Sequence, residues 1–238
     1  MSLSEPGFPD NKQKWPKVLA FDTSGPFIAI GSTTESYSGG TCEHMARGQA
    51  EALMPMLEDW LNNCGWSWQD VDAIGVGIGP GNFTGIRISV SAARGLGLAL
   101  GIPVFALTGF EIAHGHHMMQ PGTLMSLPAP RDLAYVQGFG QGGAALFGPG
   151  RLIDPANPPK DLQLSLGMEI HGHRAADIAA HFEVKHAGEL EDHGPARMAE
   201  TTEYKYLNAT SFPPPPAPLY IKPPDAAPAR DAPPRIVP

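Results

Sequence analysis

Residues 73–108 read AIGVGIGPGNFTGIRISVSAARGLGLALGIPVFALT and contain three elements in succession. The run AIGVGI at 73–78 is unbroken and apolar, the pattern of a strand buried on both faces of a sheet. It breaks at Gly79-Pro80-Gly81-Asn82. Thr84 is placed to cap a helix running to about Leu100, and Gly101-Ile102-Pro103 stops it. VFAL at 104–107 follows as a second strand. Strand, helix, strand implies a parallel pair joined by a right-handed crossover.

Working outward, VLAFD at 18–22 is a short buried strand. The turn Thr23-Ser24-Gly25-Pro26 separates it from FIAIGS at 27–32, its expected hairpin partner. A weaker third strand falls around Ser36 to Cys42. Between His44 and Asn62, Met45, Leu53, Leu57, Trp60 and Leu61 recur at helical spacing, predicting an amphipathic helix kinked at Pro55. Hairpin strands followed by alternating helices and strands predict an α/β fold with the ribonuclease H-like layout, the building block of actin-like lobes. Beyond Thr108 the pattern predicts a reduced second lobe. Its elements are a helix near 110–119, a strand at 123–127, a hairpin over 134–147, a helix around 174–182 and a last helix near 195–207. The expected organisation is a leader at 1–16, a first lobe at 17–108, a second at 109–208 and a tail at 209–238. Eleven of the 26 prolines follow Asn208, so the tail is expected to run extended, with Leu219-Tyr220-Ile221 as its docking strand.

A chain of 238 residues that is 42% hydrophobic can fill a real core, which excludes a wholly disordered protein. A net charge of −8 gives no chain-wide attraction to polyanions, so any RNA is expected to be held by a partner. Two cysteines are too few for a disulfide framework and point to a reducing compartment. No run has the length of a membrane helix, and the start lacks the apolar stretch of a signal peptide, so the expected location is cytoplasmic.

The turn at 79–85 is the strongest chemical signal. A strand ending in Gly-Pro-Gly and feeding a helix leaves backbone N–H groups at the positive end of the helix dipole, a geometry that suits phosphate. Gly79, Gly81, Thr84, Gly85 and Arg87 are the candidate anion-binding residues. A tight structural connection with Arg87 in an ion pair explains the same residues equally well. Asp22, closing the first strand, is a candidate Mg²⁺ or phosphate ligand; alternatively it caps the turn at Thr23-Ser24-Gly25. A two-metal nuclease is disfavoured, because no further carboxylates gather at that sheet end and Asp70 and Asp72 lie at the other. His114, His116 and His117 do not share one helix face and carry no metal-site spacing. Ser24 lacks a nucleophile-elbow context. The small residues of the 84–100 helix, among them Ser89, Ala92, Ala93, Gly95 and Gly97, require something to pack very close, within the domain or across subunits.

These residues resemble the TsaB (YeaZ) family of bacterial tRNA threonylcarbamoyladenosine synthesis, whose members are also labelled glycoprotease or peptidase M22 homologues. The resemblance is carried by VLAFDTSGPFIAIGS at 18–32, QAEALMPMLEDWL at 49–61, GPGNFTGIRISVSAARGLGLALGIPV at 79–104 and PLYIK at 218–222. It implies a non-catalytic scaffold that pairs with the catalytic TsaD subunit, with TsaE binding the assembled pair. It also implies a homodimer when alone and tRNA contacted only through the complex. Leu53, Leu57, Ala92 and Ala93 are then the candidate interface residues. No cofactor is required of the chain itself, ATP or ADP and Mg²⁺ belonging to the complex. TsaD-like subunits hold metal through His-x-x-x-His; here the matching window is MARGQAEAL, with Gln49 near where many relatives keep histidine, so no metal site is expected. The rival reading is a nucleotide-dependent actin-like enzyme, an ATPase or M22-type peptidase, using Asp22 and the Gly79–Gly85 turn.

Overall fold

The computed structural model describes residues 15–115, 122–140, 144–162, 164, 167–182, 184–188 and 194–221. The first sheet is built from β1 (Val18–Asp22), β2 (Phe27–Thr34), β3 (Tyr37–His44), β4 (Ala73–Gly77) and β5 (Val104–Leu107), in the order β3-β2-β1-β4-β5. β1, β2 and β3 pair antiparallel, whereas β4 and β5 run parallel to β1. The crossovers are α1 (Gln49–Asn63) and α2 (Phe83–Leu100).

A second sheet repeats this plan. Its strands are β6 (Thr123–Pro128), β7 (Ala134–Phe139), β8 (Arg151–Ile153), β9 (Glu169–Gly172) and β10 (Lys185–Gly188), ordered β10-β9-β6-β7-β8. Again the first three pair antiparallel and the last two run parallel to the central strand. Two copies of one topology make the two-lobe, ribonuclease H-like and actin-like architecture. The second copy is the smaller: its crossover α4 (Ala175–Ala179) has 5 residues where α2 has 18, and no described helix joins β8 to β9.

The period of two in β1 shows why the first sheet is stable. Leu19 and Phe21 enter one core with Leu53 and Leu57 of α1 and Ile86, Val90 and Ala93 of α2. Val18 and Ala20 enter a second core on the other face, with Met198, Ala199 and Tyr206 of α5 (Gly194–Asn208). With both faces covered, every residue of β1 is buried, and an unbroken apolar run is what such a strand needs. The short helix α3 (Gly109–His114) leads into the second lobe. It starts at a capping box in which Thr108 and Glu111 exchange bonds, and Lys205 of α5 pairs with Glu111 at 2.7 Å.

Several local expectations are corrected. Asn82, not Thr84, caps α2: its Oδ1 accepts from the N–H groups of Thr84 (2.9 Å) and Gly85 (3.3 Å). The helix expected from His44 begins at Gln49, because β3 extends to His44 and Gly48 turns the chain at φ 85°. α1 continues through Pro55 as one element. α5, second-lobe by sequence order, packs on the first sheet because its apolar face, Met198, Ala199 and Tyr206, completes that sheet's second core. The helix near 110–119 is described only as α3, and β8, β9 and β10 had no sequence signal.

Candidate functional site

β1 and β4 are parallel neighbours, so the turns that leave them, 22–26 and 78–82, meet at one edge of the sheet. In open α/β sheets this carboxyl edge is where ligands bind. Here the two turns pack on each other. The N–H of Asn82 donates to Ser24 O at 2.6 Å, and Thr23 Oγ1 donates to Gly85 O at 2.6 Å. A Cβ on Gly81 would strike Ser24 O and one on Gly85 would strike Thr23 O, so these glycines serve close approach of backbone to backbone. The open row of N–H donors expected at this helix start is corrected at two positions, since Thr84 and Gly85 donate to Asn82. Gly79, buried at φ 101°, sits against Ile86 and the carbonyl of Leu219.

Asp22 is buried and caps its own turn: Oδ1 accepts from the Ser24 N–H at 2.7 Å and Oδ2 from the Ser24 hydroxyl at 2.8 Å. Burial pushes its carboxyl above the ordinary range, against the lowering effect of the Ser24 hydrogen bonds. An acid whose pKa is raised by folding weakens the fold as pH climbs from its unfolded value, about 4, through the folded one. Asp22→Asn removes that charge, and Ser24 Oγ can accept from the new amide. Urea midpoints should therefore show the parent losing more stability than Asp22→Asn between pH 4 and pH 7; parallel profiles would contradict the assignment.

Gln49 has a structural task. Its side-chain amide donates to Gly25 O (2.8 Å) and Phe27 O (2.6 Å), with a longer contact to Thr23 O (3.5 Å), tying α1 to the β1–β2 turn. His114 is buried and stacks on Phe139 at 4.4 Å; His116 and His117 lie outside the described residues. Among the described residues, no three His, Cys, Asp or Glu side chains converge to hold a metal ion.

Arg87 lies with its guanidinium 3.9 Å over the Phe83 ring, and its Nε donates to the Tyr220 hydroxyl at 3.2 Å. Phe83 and Tyr220 stack at 4.7 Å. Phe83 and Arg87 border a shallow groove between α1 and α2, lined also by Ala50, Met54, Ile88, Ser91 and Ala92.

The interface candidates divide. Leu53 (1% exposed), Leu57 (0%) and Ala93 (0%) are spent in the core of their own lobe and are corrected as partner contacts; Ala92 alone is half-buried at the groove. What sequence reading missed is the second stripe of α2. Ile86, Val90, Ala93 and Gly97 face the sheet, while Ile88, Ser91, Gly95 and Leu98 recur on another face, and Leu98 is 87% exposed. A helix covering a sheet on one side should carry polar residues there. That second apolar phase was the available signal.

Residues 28–138 match the family model described as TsaD: tRNA N6-adenosine threonylcarbamoyltransferase. No curated protein sequence matches the chain. Among solved structures, the fold is that of a Pseudomonas aeruginosa protein with similarity to peptidase YeaZ, 24% identical, TM-score 0.67, covering 87% of this chain and 100% of that one. YeaZ from Pseudomonas aeruginosa is 22% identical with TM-score 0.65, covering 86% and 99%. No described helix is long and apolar enough to cross a membrane. Residues 28–138 thus resemble the TsaD family in sequence, and over 87% of the chain the fold is that of the YeaZ-like protein.

Proposed function

We propose that this chain is a non-catalytic scaffold subunit of the cytoplasmic machinery that forms N6-threonylcarbamoyladenosine in tRNA. In this reading it pairs with a TsaD-type catalytic subunit through α1 and the outer stripe of α2. A TsaE-type ATPase joins the assembled pair, and a homodimer uses the same face when no partner is present. Nucleotide, Mg²⁺ and tRNA belong to the complex. The observation that carries the reading is the stripe beside the α1–α2 groove, in which Ile88 is half-buried while Ser91, Gly95 and Leu98 are exposed: small and apolar positions of the kind that let another helix approach closely. The rival enzyme reading has less support, because the Asp22 carboxylate accepts both its hydrogen bonds from Ser24 in its own turn, while the 79–85 turn is bonded to Asn82, Ser24 and Thr23.

Co-expression with the cognate TsaD-type subunit should give a stable heterodimer. Leu98→Glu places a charge on a side chain that is 87% exposed, so it should keep the parent's thermal midpoint. Truncation or charge at an interface centre costs about 2 kcal/mol or more, and association should weaken more than tenfold. Unchanged affinity would remove α2 from the interface. Purified alone, the chain should hydrolyse neither ATP nor peptides; robust ATPase activity lost in Asp22→Ala would establish the rival.

A further inference from the structure

The chain leaves α5 at Asn208, and its last described segment, 209–221, ends as a strap fastened through three consecutive residues. The N–H of Leu219 donates to Ile78 O at 2.8 Å, just past the end of β4, a single bond where a docking strand was expected. Tyr220 then stacks on Phe83 and receives the Arg87 Nε hydrogen bond, both on the first turns of α2. The next residue, Ile221, packs into the second lobe's cluster of Phe110, Met125, Tyr135 and Phe139, beside Gly150. Consecutive residues are about 3.8 Å apart at Cα, so two neighbours cannot both keep their contacts if the lobes shift by several ångströms. One of the residues held by Tyr220, Arg87, is exposed, and the other, Phe83, is half-buried; both border the α1–α2 groove.

We propose that this strap couples the arrangement of the two lobes to the partner-docking groove, with Tyr220 as the positioning residue for Phe83 and Arg87 and Ile221 as its anchor in the second lobe. The inference rests on the reading of the α1–α2 face as the surface for a TsaD-type subunit. With the lobes arranged as here, Tyr220 stacks on Phe83 and hydrogen-bonds Arg87 at the groove edge. Movement of the second lobe draws on Ile221 and so on Tyr220, and Phe83 and Arg87 lose the contact that positions them at the groove. The device needs no ligand in this chain; it makes docking on one lobe depend on the other.

Two readouts on the full-length protein test it. Ile221→Ala removes the second-lobe anchor without touching a groove residue, and Tyr220→Phe removes only the hydroxyl that Arg87 uses. Hydrogen–deuterium exchange over residues 83–88 should speed up several-fold in Ile221→Ala while exchange in β1 and β4 stays as in the parent. Affinity for the TsaD-type subunit should fall about fivefold or more in Ile221→Ala, and by less in Tyr220→Phe. Unchanged exchange at 83–88 in Ile221→Ala overturns the coupling. Faster exchange with unaltered affinity overturns its role in docking. If the parent does not bind the subunit at all, the functional reading fails, and the exchange experiment still decides the coupling on its own.

Discussion

Gly85→Ala and Gly95→Ala, ten residues apart on α2, are expected to move stability in opposite directions. A Cβ at Gly85 would strike Thr23 O and lie 3.0 Å from the Thr23 carbonyl carbon and 3.5 Å from Ser24 Cα. All three atoms are backbone, so no rotamer change makes room. The turns at 22–26 and 78–82 would have to separate, loosening the Thr23 Oγ1–Gly85 O and Asn82 N–Ser24 O hydrogen bonds that join them. Overpacking plus strained buried hydrogen bonds gives a loss of about 2–4 kcal/mol. At Gly95 nothing lies within 4 Å of the added carbon. The position is exposed and mid-helix, where alanine is better than glycine by about 0.8–1 kcal/mol. Urea titration of the two variants should therefore straddle the parent midpoint. The comparison also bears on the turn's purpose. If Gly85 were small to admit a phosphate, Gly85→Ala would keep parental stability and lose only nucleotide binding, the opposite of the expected result.

The first lobe was legible because its signals are local. Asp22 closes an apolar run, Gly79-Pro80-Gly81 punctuates another, and α2 sits between them with its stop at Gly101, which adopts φ 68°. The second lobe carries the same topology on far weaker marks. β8 has three residues and β9 four, and α4 is little more than one turn. Their pairing is set by contacts distant in sequence, such as Leu124 with Ile170, which no periodicity encodes. The site was half legible. Glycine at 81 and 85 announced close approach but not what approaches; the answer, Thr23 and Ser24, lies some sixty residues away. Gln49 was visible as a departure from a metal-binding pattern, whereas its carbonyl partners at 25 and 27 emerged only when α1 was laid across the β1–β2 turn. Leu53, Leu57 and Ala93 are interface candidates only by the family resemblance, and as inward apolar residues of α1 and α2 they are the ones a lone lobe buries first.

That choice leads to the sharpest contrast available on α2. Ala93→Arg is expected to unfold the first lobe rather than dissociate a folded dimer, whereas Ala92→Arg, one residue earlier, should leave the lobe folded and abolish association. Ala93 is 0% exposed and belongs to the cluster that holds Leu19, Phe21, Leu57 and Val90. A guanidinium there has no acidic partner within that apolar set. Inserted methylenes alone cost about 1–3 kcal/mol, and a buried charge without a partner adds several more. The sum approaches the 5–15 kcal/mol that is the whole stability of a typical domain. Ala92 points to the groove and is half-buried, so an arginine there can carry its charge out to water along the helix surface. Circular dichroism melting with light scattering separates the outcomes. Ala93→Arg should lose its cooperative transition, and Ala92→Arg should keep the parental midpoint at monomer mass. A native melting curve for Ala93→Arg would refute the packing of α2 on the sheet. A parental dimer or heterodimer with Ala92→Arg would refute the docking face, because a long cation at the centre of a small-residue seam holds the two helices apart.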